Sequence, residues 1–598
     1  MSRVANSLLI CVVWMACVSG VQAGSAGIGN VPQGTQTDAA YANSFTANHV
    51  TNIFATTQET SCYLPEVPFF VNLGPNDGYS GMTPCAGVTT GENLGPYPSQ
   101  AGSNPGYPAN GPMLVKDYSE SDLSVDPTNP NHLIGSSKWF VSAEGYNHLL
   151  GFYESFNGGK TWPVQGHIPG YEGWTDNTDP VGAFDGFGNY YELILPYQFF
   201  YKNDGTQNFT VGNSLEPNPT VPAEVVAVAI RPHGATTSTD WITTHNGAAD
   251  YVATYDSVGI APDKQWITID VNPTSPNYNT IYAMWTKFDG VSAKVYVSTA
   301  RALSNGTHTD WTTPQLLPTT KGTAADTFLL PHVDPAGVVY STVANFPAKR
   351  GFCCANIGLI YSTNGGATWQ GPLLVAPNFI PSPLVYADTT FRSGIINTFA
   401  VGSVQVNHHY PLYVAWEDYS AGVANLLLSA SYDVGQTWSA PIQVNDNTIA
   451  VDELQPNLAT NANGTVSVNF YDRRLPCPAV ATAEASGAGL ALDTSNPNYS
   501  GTLPPYGAAN YCVNASIQFY SDSLTPLGYN SRLTQHTWDP QLNSPHPYGY
   551  ATPVTFIGDY FGNAFSGLLS FSSFVSTFND GSNPTSRQQQ VIATVQTP

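Results

Sequence analysis

The chain has 598 residues, 42 of them acidic and 18 basic, for a formal net charge of −24. Hydrophobic residues make up 42% and aromatic residues 12%, which argues against disorder, and the acidic excess disfavours a polyanionic partner such as nucleic acid. Only 10% of the residues are charged, while 54 Gly and 47 Pro fit a turn-dense all-β chain without long amphipathic helices. So few charges also suit an acidic exterior, because protonating the carboxylates leaves only a modest positive total to repel itself.

Residues 1–23 carry Arg3, an apolar run from Leu8 to Val18, and the small-residue site Val21-Gln22-Ala23. This is the pattern of a secretory signal: the run is too short to span a bilayer, and no later run is long enough. Cys17 would suit lipid attachment, but Trp14 occupies the place where such a motif usually has Leu. A secreted chain is expected. Six cysteines then remain: Cys62, Cys85, Cys353, Cys354, Cys477 and Cys512. Export favours disulfides over metal thiolates. The expected pairs are Cys62–Cys85 and Cys477–Cys512, with a vicinal Cys353–Cys354 bridge, out of fifteen connectivities.

Residues 24–115 are rich in Gly, Pro, Ser, Thr and Asn and read as an irregular N-terminal segment. The stretch from Val50 to Thr57 is a candidate strand that closes the repeats that follow. Over residues 116–598, units begin near Ser119, Trp174, Pro262, Ala325, Phe391, Val451 and Phe556. Three of them run to an octet of one pattern. The copies are Ser155-Phe156-Asn157-Gly158-Gly159-Lys160-Thr161-Trp162, Ser362-Thr363-Asn364-Gly365-Gly366-Ala367-Thr368-Trp369 and Ser431-Tyr432-Asp433-Val434-Gly435-Gln436-Thr437-Trp438. Asp or Asn can bond its own backbone two residues on, Gly takes a positive φ, and Trp fills space under a neighbouring sheet. The second interval (431 − 362 = 69) is one third of the first (362 − 155 = 207), the mark of a long fixed repeat. Degenerate copies are expected at Trp241 and Trp311, and a sixth hairpin end at Trp538. First-turn signals are Asp126-Pro127, Asp179-Pro180, Asn272-Pro273 and Asp334-Pro335.

The octet resembles the Asp box, or neuraminidase repeat, of the sialidase superfamily. That resemblance implies a β-propeller of four-stranded blades, with each box between the third and fourth strands and Asn157, Asn364 and Asp433 structural. Seven unit starts argue for seven blades. Known sialidases have six, and six holds if one unit is an insertion. By propeller topology the face away from the boxes gathers Asp122, Asp176, Asp179, Asp263, Asp326, Glu453 and Asp559 from first-strand starts. Glu417, Asp472, Arg473 and Arg474 reach the same face from second-strand ends.

In sialidases a Tyr polarised by Glu is the nucleophile, an Asp the acid/base, and three Arg hold the sugar carboxylate, because a planar guanidinium matches it bidentately. Here the family's Phe/Tyr-Arg-Ile-Pro motif is absent, and no Arg lies between Val4 and Ile230. By position, Tyr560, Glu453, Asp263 and Asp559 are the catalytic candidates. Arg392, Arg473, Arg474, Asp176 and Asp179 are the substrate-binding ones. No cofactor is implied. Asp176-Asn177-Thr178-Asp179 is rich enough in oxygen for Ca2+ but matches no known calcium loop. Two functions fit: a glycan-cleaving hydrolase of sialidase type with an acidic cleft, or a non-catalytic propeller that binds glycan or protein or joins a surface assembly.

Overall fold

The computed structural model describes residues 36–53, 58–59, 114–115, 117–140, 148–169, 176–197, 200–201, 207–208, 224–255, 260–289, 292–320, 322–347, 354–383, 385–386, 391, 397–490, 506–540, 556–581 and 588–598. The protein is all-β. Among the described residues the helices are α1 (Asp38–Ala42) and α2 (Ala483–Gly487), each N-capped by the threonine ahead of it. None of these residues forms a helix long and apolar enough to cross a membrane.

Apart from three two-stranded ribbons, the described strands form antiparallel meanders, four strands each. The first runs Asp117–Val125, Leu133–Phe140, His148–Ser155, Val164–His167, and the second Asp176–Phe184, Tyr190–Tyr197, Glu224–Arg231, Tyr251–Tyr255. The third (Ala261–Ile269 to Gln315–Leu316) and fourth (Thr323–Val333 to Gln370–Phe379) join into one eight-stranded sheet through a single parallel bridge, Ala293 to Ala325. The fifth spans Asn397–Val401 to Ile442–Gln443 and the sixth Glu453–Thr460 to Ser531–Arg532. In the last, Gly562–Ser566, Leu569–Ser576 and Gln589–Gln596 take their fourth strand from the other end of the chain: His49–Ile53 pairs with Gln589–Gln596, His49 opposite Thr594 and Ile53 opposite Gln590. The expected closing strand exists, beginning one residue earlier than the sequence suggests.

The opening strands of successive meanders neighbour one another in chain order, and Gly562–Ser566 returns to lie beside Asp117–Val125. Middle strands such as Tyr190–Tyr197, Glu224–Arg231, Val466–Asp472 and Asn514–Tyr520 are buried along their whole length, because sheets cover both of their faces. Polar side chains tie the seams. Asp122 Oδ2 accepts from Gly182 N at 2.8 Å, Thr398 Oγ1 accepts from Leu458 N at 3.1 Å, and Asn563 Nδ2 donates to Asn457 O at 2.9 Å.

Each octet lies between the third and fourth strands of its meander and carries the same bonds. Ser155 Oγ accepts from Gly159 N at 2.9 Å while Asn157 Oδ1 accepts from Thr161 N at 3.0 Å. The counterparts are 3.0 and 3.0 Å in the second octet and 2.9 and 2.9 Å in the third. Asn157 and Asn364 donate Nδ2 to the threonine hydroxyl, whereas Thr437 turns its hydroxyl round to donate to Asp433 Oδ2. The fifth residue of the octet, a glycine in all three, abuts the preceding meander. A Cβ on Gly159 would meet Phe571 at 2.5 Å, and one on Gly435 would meet Leu359 at 2.4 Å.

Trp241 and Trp311 fall in third-to-fourth-strand connections, as their spacing suggests. Trp538 does not. It follows the fourth strand of the sixth meander and bridges Val513 at the opposite end, and the hairpin position belongs to Ser521 to Thr525, where Thr525 N donates to Ser521 Oγ. Thr-Trp pairs thus occur outside these hairpins as well, and here the Trp serves a bridge to the start of the third strand. Asp179-Pro180 is likewise no turn. It sits in a bulge of the strand Asp176–Phe184, and the turn residue is Asp185, which accepts from Phe187 N and Asn189 N.

Cys477 and Cys512 form the expected disulfide at the base of the long connection in the sixth meander. Cys354 is disulfide-bonded, and the other cysteines of the expected pairs, Cys62, Cys85 and Cys353, lie outside the described residues.

In the seam between the last and first meanders, Gly558 (φ +100) meets backbone: an added Cβ would stand 2.6 Å from Glu120 N. Gly558→Ala is expected to cost about 2–4 kcal/mol, since neither backbone can yield. Gly422→Ala, at φ +80 with nothing within 4 Å, is expected to cost only about 1 kcal/mol. Urea unfolding of both variants checks this; equal losses would remove the contact's special role.

Candidate functional site

The inner strands share a device that places side chains at the hub. Each of five carries one extra residue relative to its partner strand, and each bulge holds a residue in the left-handed region: Glu120 (φ 52), Asp179 (φ 55), Lys264 (φ 52), Phe328 (φ 57) and Gln455 (φ 51). A bulge re-aims its side chain out of the regular pleat. Left-handed backbone costs a non-glycine residue of order 1 kcal/mol or more, so its recurrence marks a constrained position. Each of these residues stands six ahead of a turn residue, namely Asp126, Asp185, Asp270, Asp334 and Asn461. Each turn residue accepts backbone N–H bonds from its own turn.

The bulges of the first three meanders build an ion network. Lys138 Nζ lies 2.8 Å from Glu120 Oε2 and 3.2 Å from Asp179 Oδ1. Lys264 Nζ lies 2.7 Å from Asp559 Oδ2, 3.6 Å from Asp263 Oδ1 and 3.9 Å from Asp179 Oδ2. Asp179 thus bridges two ammonium groups. Burial pushes its carboxyl up, but Lys138 and Lys264 together hold it well below the usual carboxylate range. Glu120 goes the other way: full burial, reinforced by Asp179, keeps it well above that range. Asp263 stands at the mouth with a third of its side chain exposed. Its partial burial pushes it up to about 6, Lys264 opposes and Asp179 adds to the push, and solvent screens part of the effect.

Part of this network lines a small pocket, whose polar lining is Asp179, Lys264, Gln265 and Asp559 and whose aromatic lining is Trp266, Phe328 and Tyr560. Its free space is about 20 Å³, room for one water-sized group. The Tyr560 ring meets Trp266 edge-on at 5.5 Å. Its hydroxyl donates to Pro180 O at 2.9 Å, and burial, with Glu120 and Asp179 next, holds it well above its usual range.

Of the residues expected at the site, Tyr560, Asp559, Asp263 and Asp179 come together. Glu453, Arg473 and Arg474 do not join them. They form a second buried cluster in the sixth meander. Arg473 Nη1 donates to Asp452 Oδ2 at 3.0 Å. Arg474 donates Nε to Asp472 Oδ2 at 2.9 Å and Nη1 to Asp446 Oδ1 at 2.6 Å, with the ring of Tyr41 from α1 covering its guanidinium at 4.1 Å. Glu453 faces Asp472 across the strand pair, and burial, then Asp472, raises it well above the usual carboxylate range. Asp176 opens its strand, but its side chain and the whole of Arg392 lie outside the described residues. Arg231 is at the octet end, where Glu154 Oε2 accepts from its Nε at 2.9 Å and from its Nη2 at 2.6 Å.

Sequence reasoning missed Glu120, Lys138, Lys264 and Gln265. The six-residue offset from the turn Asp or Asn was the available signal for the bulge residues. Lys138, on a second strand, carries no such signal.

No family model matches the chain, and no curated protein matches it. Among solved structures it is similar to a protein of unknown function from Dyadobacter fermentans, at 12% identity and TM-score 0.39, covering 81% of this chain and 95% of that one. It is also similar to the polysaccharide lyase Uly1, at 10% identity and TM-score 0.40, covering 93% and 100%. A third is the sialidase of Trypanosoma rangeli in complex with sialic acid, at 10% identity and TM-score 0.34, covering 90% and 58%. At such TM-scores none of these decides what this chain does.

Buried carboxyls set the pH dependence. Burial raises Glu192 to about 8, with Asp122 adding to the effect, and raises Glu417 to about 7 against its bonds from Ser382, Tyr386 and Gln455. An unfolded Glu titrates near ~4.3. Between that value and 7–8 the folded chain keeps protons the unfolded chain has released, so this stabilisation is complete near pH 4 and is lost as pH rises through 7–8. Asp179 and Asp126, both lowered, work the other way only as the pH falls below about 4. The thermal midpoint is expected to be several degrees higher at pH 4.5 than at pH 8. Glu192→Gln and Glu417→Gln should flatten the difference. A midpoint higher at pH 8 would contradict this account.

Proposed function

We propose that the chain is an exported, seven-bladed β-propeller of sialidase-like type that binds a glycan at its hub face and lacks sialidase catalysis. The cyclic order of the inner strands, the three octets and the fourth strand drawn from the N-terminal side support the architecture. The leader pattern and the Cys477–Cys512 disulfide support export. The observation that carries the functional reading is where the cations are spent. Arg231, Arg473 and Arg474 are buried in pairs with acids of their own, so none of them is available to hold a sugar carboxylate. The pocket itself is acidic, and the Tyr560 hydroxyl is committed to a backbone carbonyl.

The full-length protein is expected to release no fluorophore from an aryl sialoside between pH 4 and 8. Turnover that Tyr560→Phe abolishes would refute the binding reading and restore the sialidase one.

A glycoside-hydrolase reading has one observation in its favour: Asp263 and Asp179 share Lys264 yet titrate in opposite directions, the pattern of an acid paired with a base. On that reading neutral aryl glycosides are cleaved at a rate that falls as pH rises through about 6, and Asp263→Asn lowers it at least ~100-fold. An absence of turnover across a neutral panel removes it.

A further inference from the structure

Outward of the hub pocket, in the seam between the second and third meanders, the charge changes sign. Lys287 and Lys294 stand directly opposite each other on the second and third strands of the third meander. Side chains so placed have Cβ atoms about 5 Å apart, and like charges there are destabilising. Among the described residues neither ammonium is within ion-pair reach of a carboxylate. The carboxyl of the turn that joins the two strands, Asp289, accepts from Ser292 N at 2.8 Å and from Ser292 Oγ at 2.9 Å. The arrangement stands out in this chain, where Lys138, Lys264, Arg231, Arg473 and Arg474 are each paired with an acid.

The groups around the pair are donors. Lys287, Lys294, Trp285 and Tyr296 share the sheet face that is turned to the second meander. Lys287 Nζ stands 5.8 Å from the Tyr296 ring centre, and Tyr296 stacks on Trp285 at 6.1 Å. Trp285 is fully buried and donates its Nε1 at 2.6 Å to the hydroxyl of Tyr255, which ends the fourth strand of the second meander. That hydroxyl, accepting from Trp285, has its own proton left to give. Lys294 is exposed, and Lys287, Tyr255 and Tyr296 are partly so. Two ammoniums and a phenol proton, reachable from solvent and backed by a fixed aromatic wall, suit an anionic acceptor.

Register ties this seam to the hub. Pro262 pairs with Lys287 and Asp263 with Thr286, so the lysine row begins one strand, about 5 Å, outward from the strand that carries Asp263 and Lys264. A ligand at the hub mouth can extend onto it. The net charge of −24 opposes a polyanion, but charges farther than about 8 Å are largely screened at physiological ionic strength. A single acidic group therefore feels the two nearby ammoniums first.

We propose that Lys287 and Lys294 form a subsite for one anionic substituent, a carboxylate or a sulfate ester, of a glycan bound at the hub face. This rests on the glycan-binding reading above and names the class of glycan, one that carries isolated acidic groups.

The test is calorimetric titration of the full-length protein at low salt with three oligosaccharide sets: neutral (xylo- and galacto-oligomers), carboxylated (xylo-oligomers carrying one glucuronate) and sulfated (galacto-oligomers carrying one sulfate ester). Inorganic sulfate is titrated beside them. At least one singly acidic oligomer is expected to bind at least ~10-fold more tightly than both its neutral counterpart and inorganic sulfate, an advantage that shrinks as salt is raised. Replacing both lysines, Lys287→Gln with Lys294→Gln, should bring acidic-oligomer binding down to the neutral level, while Lys287→Arg with Lys294→Arg keeps it. Lys160→Gln, in the first octet, should leave binding unchanged. Each variant's thermal midpoint shows whether it is folded. Equal binding of neutral and acidic oligomers, or acidic binding that survives the double glutamine substitution, overturns this subsite and leaves the glycan reading standing. Inorganic sulfate binding as tightly as the acidic oligomer also overturns it, since the anion alone would then be the ligand. Binding to none of the oligosaccharides overturns both.

Discussion

No meander of this protein can cover its own two faces. The middle strands are buried throughout, with apolar side chains on both sides of the sheet, so each sheet is stable only between two others. The geometry of the seams follows from that dependence. Sheets that approach so closely need a residue without a side chain at the point of contact. Gly159 against Phe571 and Gly435 against Leu359 are such points, and in both the glycine belongs to an octet. The octet therefore has two jobs: its serine and Asp/Asn close a hairpin, and its fifth-position glycine lets that hairpin press on the preceding sheet.

The same dependence explains the N-terminal arm. A last sheet with three strands would leave Gln589–Gln596 as an open edge, and His49–Ile53 covers it. The arm is fastened again before that strand. Tyr41 is fully buried over Arg474, Asp38 accepts from Thr448, and Ala42 O accepts from Arg532 Nη1. An ion cluster deep in the sixth meander is thereby closed by a segment more than 400 residues away in sequence. Removing one partner of a buried ion pair is costly, so this cluster and the arm stabilise each other.

Crowding the inner strands around a common hub brings their opening residues close together. Bulged, left-handed backbone turns those residues out of the pleat, and in the first three meanders they are charged. Two lysines cannot offset burial for every carboxyl near them, so Asp179 is held well below the usual carboxylate range while Glu120 is pushed well above it. A fold that hides protonated carboxyls in this way loses stability as they are forced to ionise.

Much of the architecture was legible in the residues alone, because turn chemistry is local. The octets and the Asp and Asn of the first turns each act within a few residues, and the spacing of the octets exposed the repeat. The disulfide Cys477–Cys512 and the closing strand near Val50 were legible for related reasons: one staples a single loop, the other follows from a repeat lacking a strand. Trp538 and Asp179-Pro180 were misread because the same residue types also serve bridges and bulges. Site membership was not local. Asp179, Lys264 and Asp559 come from three meanders and meet only when the sheets close on one another, while Glu453, Arg473 and Arg474, equally well placed along their strands, find partners within the sixth meander. Sequence fixes which residues begin a strand; which carboxyl each cation neutralises depends on separations of a few ångströms between distant segments, and only tertiary packing sets those.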